Sequence, residues 1–257
     1  MRHYTTLALA LALLGTTATT SAVAATAVDP TPTVVLVHGA FADGSDWSKV
    51  IPLLQAKGIK VRAVQNGLNS LGDDVAATQR TIDSQPGKVV LVGHSWGGMV
   101  ITEAGANDKV SALVYVAAFA PSVGQSAGEV GKDYPTPPGI TKLVPDVGGY
   151  LSITPEGMRD DFAQDLPAAQ TAVMAVTQGP IQAKAFGDKT TVAAWKTKPS
   201  WYIVSENDHM IQPDLERALA KKIGAKVTSL PTSHVPQQSR PADVARVIID
   251  AVEASSK

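Results

Sequence analysis

Runs of apolar, largely β-branched residues recur along the chain at 33–37, 59–64, 89–92, 110–117 and 201–204, and 226–230 reads as a last strand. Short runs of this kind, bounded by turn residues, predict strands buried inside a sheet. Between them lie stretches whose apolar residues fall at helical spacing. Residues 46–54 form one such stretch, with Ser45 or Asp46 as its cap and Gly58 as its stop. Residues 73–85 form another, opened by acidic residues that suit the positive end of the helix dipole. An apolar helix-like segment follows Gly97, and further helices are predicted over 213–222 and 241–254. Strands alternating with helices predict an α/β fold, a mostly parallel sheet of about six strands with helices on both faces.

The alternation stops between Phe119 and about Pro199. This region carries Pro121, Pro135, Pro137, Pro138 and Pro145, then two helix-like pieces over 154–165 and 168–177. So long a break is either disordered or a lid. Met158, Phe162, Met174 and Phe186 suggest packing, so residues 120–199 are expected to form a helical cap inserted before the penultimate strand. The cap would sit over the carboxyl edge of the sheet, where open α/β sheets bind ligands.

One strand runs straight into chemistry. Val89-Val90-Leu91-Val92 ends in Gly93-His94-Ser95-Trp96-Gly97, and an apolar helix follows. A Gly-x-Ser-x-Gly unit in strand–turn–helix context is the nucleophile-elbow pattern. The sharp turn strains the serine backbone and leaves no room for side chains two residues to either side. The same five residues also suit a plain strand-to-helix turn with Ser95 as helix cap. The rest of the chain decides between them.

An acylating serine needs a base. Of five histidines, His3 lies in the leader, His94 diverges from Ser95 inside the elbow, His38 fixes the loop after the first strand, and His209 follows a candidate acid. His234 alone stands between the last strand and the closing helix, where a loop returns it to the sheet edge. The base in turn needs a carboxylate to hold its tautomer. Asp208 has the best reach after the 201–204 strand, with Glu206 as the alternative, while Asp214 dresses a helix start. The order Ser95, Asp208, His234 is nucleophile, acid, base, as in α/β-hydrolases. The oxyanion takes the amide of Trp96 and that of Ala40, with Phe41 as the alternative second donor; one such donor can be worth roughly 3–4 kcal/mol in the transition state.

Composition narrows the partners. The 257 residues are 44% hydrophobic and 18% charged, and a net charge of −1 without a basic cluster excludes nucleic acid and anionic membranes. Arg2 and His3 precede Leu7-Ala8-Leu9-Ala10-Leu11-Ala12-Leu13-Leu14, and Ala22-Val23-Ala24 supplies a processing site. Residues 1–24 therefore read as a cleaved Sec-type signal peptide and 25–257 as a single domain exported to the periplasm or medium. The apolar run is too short for stable membrane insertion. With no cysteine, neither a lipid anchor nor a disulfide is available. No metal-ligand spacing, phosphate loop or dinucleotide fingerprint appears, so no cofactor or metal is expected.

By its motifs the chain resembles the α/β-hydrolases, in particular the compact class that includes plant methyl-salicylate-type esterases, hydroxynitrile lyases and bacterial pyrethroid hydrolases. The carriers are His38-Gly39-Ala40, the Gly-His-Ser-Trp-Gly-Gly elbow, Ala185-Phe186-Gly187, the 194–199 stretch, Asp208 and Ser233-His234. Lyases of this family carry a threonine where Gly39 stands and a lysine where Val235 stands. Both departures favour ester hydrolysis. The residues and the resemblance together imply a serine hydrolase acting through an acyl-enzyme on Ser95, and an apolar cap with few aromatics and no charge cluster suggests a small-molecule substrate, a neutral carboxylic ester. Phe41, Phe119 and Trp195 are the candidate pocket residues. A lyase or cofactor-free perhydrolase on the same residues is the alternative, as is a hydrolase-like protein that only binds a small ligand; an intact triad argues against the last. The leader itself makes a prediction: the exported protein should begin at Ala25 or Val28, and mass spectrometry finding Met1 retained would refute export.

Overall fold

The structure is a computed structural model that describes residues 31–256 and Met1. The expected signal peptide, Met1 apart, lies outside the described residues. The chain opens with β1 (Thr33–Val37), a 3-10 turn at Gly44–Trp47, α1 (Ile51–Gln55) and β2 (Val61–Ala63). It continues through α2 (Leu71–Asp83), β3 (Val89–His94), α3 (Gly97–Ala104) and β4 (Val110–Val116). The inserted region holds α4 (Ala127–Val130), β5 (Leu143–Pro145), β6 (Tyr150–Ile153), α5 (Pro155–Gly157), α6 (Ala168–Thr177) and β7 (Ile181–Gln182). The main layer resumes with β8 (Ser200–Ser205), α7 (Pro213–Lys222), β9 (Lys226–Leu230), α8 (Pro236–Ser239) and α9 (Pro241–Ser255).

Six parallel strands form one sheet in the order β2-β1-β3-β4-β8-β9. Alternate residues of each strand feed two separate cores, as the two-residue period of a strand requires. Val35, Val37, Leu91 and Leu113 pack with Ile82 of α2, Met99 of α3, Leu219 of α7 and residues of the cap. Val34, Leu36, Val90 and Val92 pack on the other side with Leu54 of α1 and with Val244, Ile248 and Val252 of α9. Burial on both faces is the reason the strand runs are uninterrupted in sequence. The chain moves outward from β1 to β2 and then returns across β1 to β3. The loops leaving β1 and β3 therefore meet where the strand order reverses, the position at which open α/β sheets take ligands.

Three local expectations change. The 46–54 helix is a 3-10 turn followed by a separate short helix, and its cap is Asp43, whose Oδ1 accepts the Ser45 amide at 2.6 Å. Asp46 turns inward instead. The first cap helix is one turn of α5 that widens into a π-helical turn, Met158–Phe162, and ends where Ala163 leaves helical geometry at φ −141°. The cap also carries a small antiparallel sheet, β5-β6-β7, that periodicity does not reveal.

Beyond β4 the chain must turn sharply, and Ala117 takes a left-handed φ of +43°. A buried tyrosine holds that turn. The Tyr202 hydroxyl on β8 donates to the Ala118 carbonyl and accepts from the Ala118 amide at 3.2 Å. Tyr202→Phe strips two buried backbone groups of their partner and should cost roughly 2–4 kcal/mol. Urea unfolding should report a lower midpoint at unchanged slope; a loss under about 0.5 kcal/mol would mean that the hydroxyl is dispensable to the turn.

Candidate active site

Ser95 stands at the end of β3 with φ +51°, the left-handed conformation that a strand-to-helix elbow forces on its central residue. The backbones crowd there. A Cβ on Gly93 would lie 2.6 Å from the Gly97 carbonyl oxygen, and one on Gly97 would lie 2.5 Å from that of Val37. Glycine is the residue both positions allow. The strained turn is held on each side: the Ser95 amide donates to Val116 O at 3.2 Å, and its carbonyl accepts from Gly98 at 2.9 Å and Phe119 at 3.2 Å. Only 8% of Ser95 is exposed.

His234 lies in the loop between β9 and α8, buried, with Nδ1 2.5 Å from Asp208 Oδ2. Asp208 Oδ1 accepts the amides of Met210 at 2.6 Å and Ile211 at 2.9 Å, so the carboxylate is fixed as well as buried. With a carboxylate facing Nδ1, that nitrogen carries the hydrogen and Nε2 is left as the basic site. Ser95 and His234 open onto one cavity. Glu206, the alternative acid, turns away to Arg217, which also takes Asp214 at 2.6 Å.

The loop after β1 is fixed by His38. Its Nε2 accepts the Asn66 amide at 2.9 Å, so Nδ1 is the protonated nitrogen and donates to Gly39 O at 2.8 Å. Burial lowers the His38 pKa, which keeps this ring neutral. The loop passes so close to the elbow that a Cβ on Gly39 would stand 2.8 Å from Ser95 Cβ. Ala40 is buried beside it, and Phe41 has φ +60° with its amide donated to Gly179 O at 3.1 Å. Trp96 follows the serine, and its indole N–H donates to Asp74 Oδ2 at 2.8 Å.

A second polar layer lies beneath. His94 Nε2 is 2.8 Å from the His234 carbonyl, so it donates there and props the His234 loop from behind. Burial, then the proximity of His234, lowers the His94 pKa well below the ordinary histidine value, so no second cation competes at the site. Asp46 reaches the same layer from the other side, 3.5 Å from His94 Nδ1. Its carboxylate accepts from Gln237 at 2.6 Å and Gln238 at 3.2 Å, and burial raises its pKa to about 6 against the pull of those donors.

From above, four residues of the cap segment 161–165 strap the loops that carry Asp208 and His234. Asp161 pairs with His209 at 3.3 Å, and Gln164 donates to Asn207 O at 2.6 Å. Asp165 accepts both the amide and the hydroxyl of Ser233, at 2.9 and 2.5 Å. Between them Phe162 sets its ring edge-on to His234, centroids 5.1 Å apart. Sequence reasoning singled out Phe162 for packing but missed Asp46, Asp161, Gln164 and Asp165. Their partners lie 43 to 192 residues away, beyond any local pattern.

The cavity has a volume of about 340 Å³. Phe41 and Phe119 line it, together with Phe162, Phe186, Leu215 and other apolar side chains, and no Asp, Glu, Lys or Arg does so among the described residues. Trp195, expected in the pocket, lies elsewhere. It does not line the cavity, because its indole N–H is drawn to Pro121 O at 2.8 Å, at the foot of the cap. Among the described residues no group of three His, Asp or Glu could hold a metal ion, and no helix is long and apolar enough to cross a membrane.

A family model described as the alpha/beta hydrolase family matches residues 34–247. A pyrethroid hydrolase of Sphingobium wenxiniae is 26% identical, over 87% of this chain and 89% of its own. Methylesterase 8 of Arabidopsis thaliana is 28% identical over 71% of this chain and 75% of its own. The solved structure of a pyrethroid hydrolase from Sphingobium faniae superposes with a TM-score of 0.73 at 24% identity, covering 87% of this chain and 98% of that one. Through a match that spans the sheet, the elbow and the loops around it, this chain belongs to the alpha/beta hydrolase family.

Proposed function

We propose that this protein is an exported serine hydrolase that cleaves a small, neutral carboxylic ester through an acyl-enzyme on Ser95. One observation carries the assignment: a buried Asp208–His234 pair at 2.5 Å whose histidine shares an apolar cavity with a serine in a strained elbow. The relatives named pyrethroid hydrolase and methylesterase support an ester as substrate.

In the proposed reaction His234 Nε2 takes the Ser95 Oγ proton as the oxygen attacks the ester carbonyl. Asp208 keeps the proton on Nδ1 and stabilises the imidazolium without itself accepting a proton. The tetrahedral oxyanion is held by the amides of Trp96 and Ala40. Phe41 is the poorer second donor, since its amide already serves Gly179. His234 then protonates the departing alcohol, and a water deprotonated by the same nitrogen releases the acid. The uncharged cavity wall favours a neutral substrate, because a charged one would lose its hydration with no partner in return. Val235, next to the base, is fully buried and apolar, so no cation stands there to stabilise a leaving anion such as cyanide. That favours hydrolysis over lyase chemistry. Export rests on the composition of residues 1–24.

Hydrolysis of a p-nitrophenyl ester tests the assignment. Ser95→Ala and His234→Ala should each lower kcat by about 10⁴-fold or more, with little further loss when combined, because the pair acts as a unit. Small, additive losses would mean a different nucleophile or base. Asp208→Asn should cost on the order of 10⁴-fold through the wrong tautomer, whereas Glu206→Gln removes a half-exposed charge already paired with Arg217 and should change the rate by less than about threefold. The reverse ranking would make Glu206 the acid.

A further inference from the structure

Glu216 belongs to the first turns of α7, where acidic residues ordinarily face water. It is instead fully buried, beneath the loop that carries Asp208. Its Oε2 accepts the Ser205 amide at 3.0 Å. Its Oε1 is buried and receives no hydrogen bond among the described residues. Its carboxyl group faces that of Asp208 in the same buried space.

Two carboxyl groups buried face to face cannot both be ionised, so one of them holds a proton. The donors around each decide which. A carboxylate offers about four acceptor sites. Asp208 fills three of them with the Met210 and Ile211 amides and His234 Nδ1, whereas Glu216 has the single Ser205 amide. The anion belongs where the donors are. Protonating Glu216 resolves both loose ends at once, since the orphaned Oε1 becomes a donor and Asp208 gains its fourth.

We propose that Glu216 is a neutral carboxylic acid that donates a hydrogen bond to Asp208 and acts as a positioning residue for the acid of the triad. This rests on the assignment of Asp208 to that role. Burial, then the charge of Asp208, pushes the Glu216 carboxyl well above its ordinary value. The titratable groups facing it from β8 and the following loop are Tyr202, Asp208 and Glu206, with His234 beyond Asp208. None of these is a cation paired with it, and neighbouring Arg217 is turned to Glu206 and Asp214. The added donor fixes the plane of the Asp208 carboxylate, and with it the orientation of His234. Ionisation of Glu216 would instead set a second negative charge against that carboxylate.

The sign of the linked stability follows. A carboxyl whose affinity for protons rises on folding stabilises most fully below its unfolded value, and that contribution is lost as pH rises through the folded one. The test compares the intact protein with E216Q, whose amide can donate to Asp208 and accept from Ser205 without binding a proton. Denaturant unfolding across pH should show the ratio of the two unfolding constants shifting in favour of E216Q, by up to tenfold per pH unit above about pH 5. Asp46, raised to about 6, acts alike in both proteins and drops out of the ratio. An infrared band of a protonated carboxylic acid should be present in the wild type at neutral pH and missing in E216Q. In p-nitrophenyl ester hydrolysis E216L, with neither donor nor acceptor, should lose about ten- to a hundredfold in kcat at little change in KM. E216Q should recover most of that loss. Parallel pH–stability curves without the infrared difference would overturn the proposal by showing Glu216 ionised. Equal kcat for E216Q and E216L would overturn its positioning role. Neither result bears on Ser95 as nucleophile, which Ser95→Ala decides separately.

Discussion

The constraint on which the structure depends is the close approach of three strand ends at one point. The carbonyls of Val37, Val116 and Phe119 come to the elbow from β1, β4 and the turn beyond it, and Ser95 can adopt its left-handed backbone only because they do. An isolated residue with φ +51° would relax. Here its hydrogen bond to the Val116 carbonyl and those from the Gly98 and Phe119 amides over-determine it, and the two apolar cores on either face hold the strands that supply those partners. Packing far from the cavity is thus converted into the position of one oxygen atom.

Around that point polar groups are arranged in layers. The first consists of His234 and the loop amides near Ser95. Behind it lie Asp208, with amides and a second carboxyl group, and His94, with the His234 carbonyl. Each buried polar atom in such a layer must find a partner or cost about 1–3 kcal/mol, so the network specifies tautomers as well as positions. His38 and His94 show this: each is neutral through burial, and in each the nitrogen facing a carbonyl carries the hydrogen.

How much of this was legible in the sequence follows from the range of the forces. Strands buried on both faces announce themselves as apolar runs, and the elbow is a five-residue pattern, so the sheet and Ser95 could be read locally. His234 and Asp208 were readable because the fold brings every strand's carboxyl end to one edge. The cap was readable as an interruption only. Its strands are two to four residues long, and its π-helical turn has no period of its own. Asp46, Asp165 and Glu216 look like ordinary helix-start and surface acids, and only tertiary contacts turn them inward. Trp195 misled for the converse reason. An aromatic near the cap exit suggests a pocket wall, but a single carbonyl at Pro121 is enough to hold it elsewhere.

The strap from Asp161 to Asp165 bears on how such a protein can change over time. The stretch that sets Phe162 against the cavity also holds the loops of Asp208 and His234, through its bonds to Ser233, Asn207 and His209. Specificity and chemistry are therefore not separable modules in this chain. A cap transplanted from a relative would bring new walls and remove the clasp in the same stroke, unless its residues at 161, 164 and 165 came with matching partners. Positions such as Ile140, Leu143 and Leu151, which face the cavity and make no side-chain hydrogen bond to either loop, carry no such double duty.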